Sequence, residues 1–296
     1  MYSAISTNKR NTYIIMLGFV LLIASLGWII SLYYRSTGIF WGVLIGATIY
    51  ALVQYFIADK LALMSNGARQ IQKSDNPELF RIVENLSITD GLPMPKVYII
   101  DDPSPNAFAT GRDPNHASVT VTTGLLDIMS KPELEGVIAH ELGHVKNYDI
   151  RVMMIVFGLV SVIGFLADMM IRMTWFTGGN RDDREESSSS PIFLVLMIAA
   201  AIITPIIAML IQLAISRQRE YLADATGAMT TRYPEGLASA LAKIEQFGSP
   251  LQRQNPSSSH LFFANPLKKS AFSSLMSTHP SIPDRIARLQ NMGSRL

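Results

Sequence analysis

The chain contains no cysteine, which excludes disulfides and thiolate metal ligands. Charge is scarce as well. Asp, Glu, Lys and Arg make up 16% of the residues, against about 25% in soluble domains. A formal net charge of +2 offers no basic excess of the kind that holds nucleic acid. The scarcity is uneven. Residues 13–34, 38–58 and 191–216 carry no charged side chain, and 152–171 carries one, Asp168. Each block is near or above the ~20 residues that a helix needs to cross a bilayer. Blocks so long and so uncharged predict four membrane spans rather than four core helices of a soluble protein. The first is too long for the apolar centre of a signal peptide. Tyr33-Tyr34-Arg35 at its end is no small-x-small cleavage site, so the block is expected to stay as an anchor.

The basic residues matter through their placement. Lys9 and Arg10 precede the first block, and Lys60, Arg69 and Lys73 follow the second. Lys146 and Arg151 precede the third, and Arg217 and Arg219 follow the fourth. The positive-inside rule puts these flanks and both termini in the cytoplasm. The turn at Arg35 and the Ser-rich 172–190 loop fall on the far side. Asp168 is expected to pair with Arg172 at the end of the third span. Four parts follow: a transmembrane hairpin (1–58), a first cytoplasmic part (59–151), a second hairpin (152–216) and a second cytoplasmic part (217–296). The two polar parts are expected to form one domain. The predicted class is an α-helical membrane protein with an α+β cytoplasmic domain. Gly27, Gly42, Gly46 and Gly158 are candidates for close helix packing.

Within the polar parts, Asn76 and Pro77 open a helix that Gly91 ends. Residues 96–101, 107–110 and 117–122 read as strands, most simply a three-stranded antiparallel sheet. Ser130-Lys131-Pro132-Glu133 fits a capping box that opens another helix. Residues 234–247, closed by Gly248, and 281–289 read as further helices. His116 and His260 fall in a turn and a polar loop, and no function is assigned to either.

The helix after Ser130 carries His140-Glu141-Leu142-Gly143-His144. Composition alone predicts roughly 0.007 occurrences of such an H-E-x-x-H pattern in this chain. Residues i and i+4 share a helix face, so both imidazoles can reach one ion. Glu141 stands beside them as a candidate base for metal-bound water. A catalytic zinc site needs a third ligand, and His₂Glu is one known set. Glu220 and Asp224 lie one helical turn apart, directly after the fourth block. Glu220 as third ligand, with Asp224 bonded to a ligating histidine, is one reading of that pair. A solvated juxtamembrane helix is the other.

H-E-L-G-H at 140–144, a membrane hairpin and then E-Y-L-A-D at 220–224 resemble the HtpX-type membrane zinc metalloproteases, relatives of the CAAX prenyl proteases. Asn106-Ala107-Phe108-Ala109-Thr110-Gly111, Thr278-His279-Pro280 and Arg285 extend the resemblance over nearly the whole chain. It implies one Zn²⁺ per chain on His140, His144 and Glu220, with Asp224 supporting the ligands. It implies Glu141 as general base, and His279 and Arg285 as stabilisers of the oxyanion. It also implies that Asn106, Ala107, Phe108, Ala109 and Thr110 form an edge strand to which a substrate peptide adds. From the residues alone, His279 could be structural and Arg285 a solvated helix residue. The implied activity is endopeptidase cleavage of misfolded or damaged membrane proteins, or of unfolded polypeptide, at the bilayer surface. The alternatives are a site-specific processing protease and a non-catalytic zinc-holding scaffold or holdase. A transporter fits poorly with a single acid inside the spans.

Overall fold

A computed structural model describes residues 2–33, 35–162, 217–253, 256–264 and 280–293. The fourth apolar block, His279, and the expected Asp168–Arg172 pair lie outside the described residues. So do residues 163–171 of the third block.

The chain opens with two long helices, α1 (Tyr2–Tyr33) and α2 (Thr37–Ser65). Both are long and apolar enough to cross a membrane. Leu17, Leu21, Ile45, Ile49 and Phe56 are exposed on them, which suits a hydrocarbon surround. The buried face of α1 runs Asn8, Thr12, Ile15, Phe19. Ile15 and Phe19 pack against Val152, Ile155, Val156 and Leu159. These lie on α6, helical over 149–162. Of the four glycines expected at close helix contacts, two are so placed. A Cβ at Gly27 would lie 2.7 Å from the Val43 side chain, and one at Gly158 would lie 2.5 Å from Gln54. Gly42 and Gly46 have nothing within 4 Å, so neither is a packing contact among the described residues.

After α2 come the short strand β1 (Arg69–Gln70), helix α3 (Pro77–Asp90) and strand β2 (Lys96–Ile100). Helix α3 forms where the sequence places it. The Asn76 side chain accepts the Leu79 N–H, and Gly91 closes the helix in the left-handed conformation that glycine adopts freely. Strands β3 (Ala107–Gly111) and β4 (Ala117–Thr122) follow, then α4 (Thr123–Ile128) and α5 (Lys131–Lys146). At the head of α5, Glu133 accepts from the Ser130 backbone N–H at 2.7 Å and from its hydroxyl at 2.8 Å. The same carboxylate holds Lys243 at 2.7 Å. These hydrogen bonds outweigh its desolvation and bring its pKa down to about 2. The last described helices are α7 (Arg217–Thr231), α8 (Pro234–Phe247) and α9 (Ile282–Gly293).

The sheet corrects the antiparallel expectation. Its order is β1-β2-β4-β3, and β2 pairs with β4 in parallel. Only β1–β2 and β3–β4 are antiparallel. The chain does reverse between β2 and β3, but it does not form a hairpin there. Residues 101–106 include Pro103 and Pro105, which have no N–H to close a tight turn. The Asp102 side chain accepts from Ser104 N at 2.9 Å and Gln252 N at 2.7 Å, which carries the loop sideways. A gap one strand wide is left, and β4 fills it. β3 therefore ends at the sheet's edge.

The main core lies between the sheet and helices α3, α5 and α8. Val97, Val119, Val121, Val137, Ile138, Leu237 and Leu241 are all buried in it. Truncating one of these leucines to alanine would cost about 2–5 kcal/mol.

Candidate metal centre

α5 and α7 cross at unusually short range because their facing residues are small. A Cβ on Gly227 would lie 3.0 Å from the His140 backbone nitrogen. One on Gly143 would lie 3.3 Å from Ala223 Cα. This close approach carries Glu220 to the two histidines. His140, His144 and Glu220 are buried, and each offers a ligand atom within 4.8 Å of the others. The two Nε2 atoms are 3.1 Å apart. Glu220 Oε2 lies 3.9 Å from His140 Nε2, and Oε1 lies 3.6 Å from His144 Nε2. Ligands at zinc bond lengths in tetrahedral geometry stand about 3.3 Å apart, so the triangle has the right size.

The proton positions support the same conclusion. His140 Nδ1 is 2.9 Å from Asp224 Oδ1. His144 Nδ1 is 3.0 Å from Asp149 Oδ2. A carboxylate can only accept, so each Nδ1 donates and each Nε2 is left with a lone pair. Two lone pairs 3.1 Å apart repel unless a cation or a proton stands between them. Charge points the same way. Glu141, Asp149, Glu220 and Asp224 are buried around the histidines. Arg285 and Arg219 are their guanidinium partners among the described residues. Four acids against two guanidiniums leave two negative charges, the complement of a divalent cation.

Without an ion, protons take up that charge. Burial works against a charged His144, but the hydrogen bond to Asp149 and the charge of Glu220 overcome it and raise its pKa to about 9. Burial, aided by the charge of Glu220, pushes Glu141 up to about 7. Burial takes His140 down to about 4, with Arg285 adding to the fall.

Arg285, expected as either a catalytic or a solvated residue, is fully buried. Its Nε and Nη2 donate to Asp224 at 2.9 and 2.7 Å. Its Nη1 lies 3.9 Å from Glu220. Asp224 thus joins Arg285 to His140. The Arg285 pKa rises further, because Asp224 more than offsets the burial.

The edge strand borders the site. The Ala109 N–H donates to the Glu141 carboxylate. The outward carbonyl of Ala107 already accepts the Phe263 N–H at 2.8 Å. The Asn106 side chain holds both backbone groups of Ala264, at 2.8 and 3.1 Å. Phe263 stacks edge-on to His140 at 4.9 Å and lies under the Arg285 guanidinium at 4.7 Å. The chain's own 263–264 segment therefore occupies part of this edge. His260 is buried and bonds to the Met153 carbonyl at 3.1 Å, and His116 bonds to Asp113. Neither belongs to the group of candidate metal-binding residues.

Sequence reasoning missed Asp149. Its position depends on Tyr148, which takes φ 61° and swings the chain back from the end of α5. A non-glycine residue in that region has no sequence signal.

A family model, Peptidase family M48, matches residues 73–293. The chain belongs to that family. It is a metalloprotease, hence a hydrolase. A "Protease HtpX homolog" of Tropheryma whipplei (strain Twist) is 53% identical, covering 100% of this chain and 99% of that protein. One of Ligilactobacillus salivarius is 43% identical over 99% of this chain and 100% of that protein. The crystal structure of S. mikatae Ste24p shares the fold at a TM-score of 0.52 and 22% identity. That match covers 98% of this chain and 67% of the other.

Proposed function

We propose that this M48 protein is a four-span, zinc-dependent endopeptidase of the bacterial cytoplasmic membrane. Its active site and termini face the cytoplasm, and it removes misfolded or damaged membrane proteins. The observation that carries this reading is the pair of lone-pair-bearing histidine nitrogens meeting Glu220 beside a buried Glu141. His140, His144 and Glu220 would hold the zinc, with Asp224 and Asp149 orienting the imidazoles. Bound zinc would supply a Lewis acid that polarises the scissile carbonyl and acidifies water. Glu141 takes a proton from the attacking water and passes it to the departing amine. The water oxygen adds to the carbonyl carbon to give a tetrahedral oxyanion, and its collapse re-forms the carbonyl as the C–N bond breaks and the protonated amine leaves. Arg285 Nη1, which faces Glu220 rather than Asp224, and His279 stabilise the oxyanion. The peptide adds along Asn106–Thr110, in the place where Phe263 and Ala264 lie.

Two apolar helices joined to this domain favour substrates already held at the bilayer surface. The test is cleavage of an unfolded protein and of a bilayer-anchored one by detergent-purified enzyme, with and without zinc. Wild type should cut only when zinc is loaded. Glu141→Gln should keep the metal and lose about 10²–10⁴-fold in rate. Retained proteolysis in Glu141→Gln would remove the base assignment. Zinc binding without cleavage of either substrate would favour a holdase.

A further inference from the structure

We propose that Asn8, on the first apolar helix, is a positioning residue for the metal centre and acts through Asp149 on His144. The inference rests on reading His140, His144 and Glu220 as a metal site.

Asn8 is an amide in a helix otherwise suited to lipid, and it is almost completely buried, as are Asn147 and Asp149. A polar side chain so placed is costly unless all of its groups are bonded. Here they are. The Asn8 Nδ2 donates to Asp149 Oδ1 at 2.6 Å and to the Asn147 carbonyl at 2.9 Å. Its Oδ1 accepts from Arg219 Nη1 at 3.2 Å. Asp149 divides its carboxylate between two tasks. Oδ1 takes Asn8, and Oδ2 takes the Nδ1–H of His144. The other nitrogen of that imidazole faces His140 and Glu220. The path from a membrane-entering helix to a metal-binding nitrogen is thus amide, carboxylate, imidazole.

Two features tighten this path. Tyr148 holds a left-handed φ of 61°, a conformation that a residue of this type keeps only where its surroundings hold it there. The Asn147 carbonyl that Asn8 binds belongs to the same turn. Lys9 caps the Tyr148 ring at 4.4 Å. Consecutive residues of α1 therefore hold the turn that aims Asp149. Asn8 also fixes which Asp149 oxygen remains for His144. Its loss would let the carboxylate rotate and unseat the proton that keeps His144 Nε2 free for metal.

The test uses the full chain in detergent, with Co²⁺ as the probe. Affinity is read by competition with a chelator, and geometry from the visible ligand-field bands. Asn8→Ala should weaken Co²⁺ binding about 10–100-fold and shift the bands. Combining it with Asp149→Asn should add little, because both act on one path. Asn8→Ser, which keeps a short donor, is read in the same way should Asn8→Ala fail to fold. Thr12→Val is the control. Thr12 is buried one turn along the same face, and its hydroxyl donates to the Asn8 carbonyl at 2.9 Å. It should alter melting but leave Co²⁺ affinity and bands unchanged. Wild-type affinity and spectrum in the Asn8 variants would overturn the proposal, as would an equal loss in Thr12→Val. If wild type binds no Co²⁺, or if His144→Ala binds it as well as wild type, the metal reading itself fails.

Discussion

Replacing Asp224 by asparagine keeps the side chain's shape and removes one charge. The neighbour that loses most is Arg285, fully buried on α9. Its Nε and Nη2 both end on Asp224, at 2.9 and 2.7 Å. The remaining acid within reach is Glu220, 3.9 Å from Nη1, too long for a hydrogen bond. Removing one partner of such a buried pair costs about 3–5 kcal/mol, because the other charge is left uncompensated. Removing both charges is often close to neutral. Asp224→Asn should therefore destabilise strongly, and Asp224→Asn combined with Arg285→Met should recover much of the loss. The local readout is amide hydrogen exchange in α9 of the metal-free protein in detergent. At 1.36 kcal/mol per decade, Asp224→Asn should speed exchange about 10²- to 10⁴-fold. The double variant should sit between it and wild type. Exchange in Asp224→Asn within threefold of wild type would refute the reasoning, as would a double variant faster than the single.

Further outcomes follow from the site. In the metal-free protein His144 titrates near 9 and Glu141 near 7, while the bound state needs a neutral His144. Cobalt affinity should therefore rise about tenfold per pH unit from 7 to 9 and level off above 9. A flat profile over that window would contradict the proton placement. The linked stability has the opposite sign. A raised histidine pKa stabilises the metal-free fold fully below about 6.5, and the benefit is lost as pH rises through 9. At the helix crossing, Gly227→Ala places a methyl 3.0 Å from the His140 backbone. Overpacking of this kind costs about 1–3 kcal/mol, despite alanine's better helix propensity. Metal competition should show weaker binding as Glu220 is pushed from the histidines. Unchanged affinity would mean that the crossing distance does not set the site.

The parts of this molecule that could be read from sequence are those governed by one helix or one turn. His140 and His144 share a face by the i,i+4 rule, and Glu220 and Asp224 do likewise. Asn76, Gly91 and Ser130 mark helix ends by local chemistry. The bounds of β4 and α8 followed from composition and flanking turns. The features that the residues alone did not give depend on distant partners. The parallel pairing of β2 and β4 follows from a sideways loop between two prolines. Asp149 reaches His144 because Tyr148 adopts a backbone angle that its side chain does not announce. Arg285 is indistinguishable in sequence from an exposed helix residue until Asp224 stands opposite it. Asn8 is 141 residues from Asp149, and its position in an apolar helix gives no hint of what it faces.

If substrate adds to the edge strand as proposed, the 263–264 segment there sets a condition on every incoming peptide. Phe263 is tethered to the strand it covers, so it competes at a high effective concentration. If that segment is displaced only a fraction f of the time, a peptide's apparent Kd is its intrinsic Kd divided by f. A short diffusing peptide bears the whole of that penalty. A polypeptide anchored in the same bilayer has its own raised local concentration with which to offset it. Selection between soluble and membrane-held chains would then arise from a competition between two tethers, with no need for a sequence preference at the cleavage site.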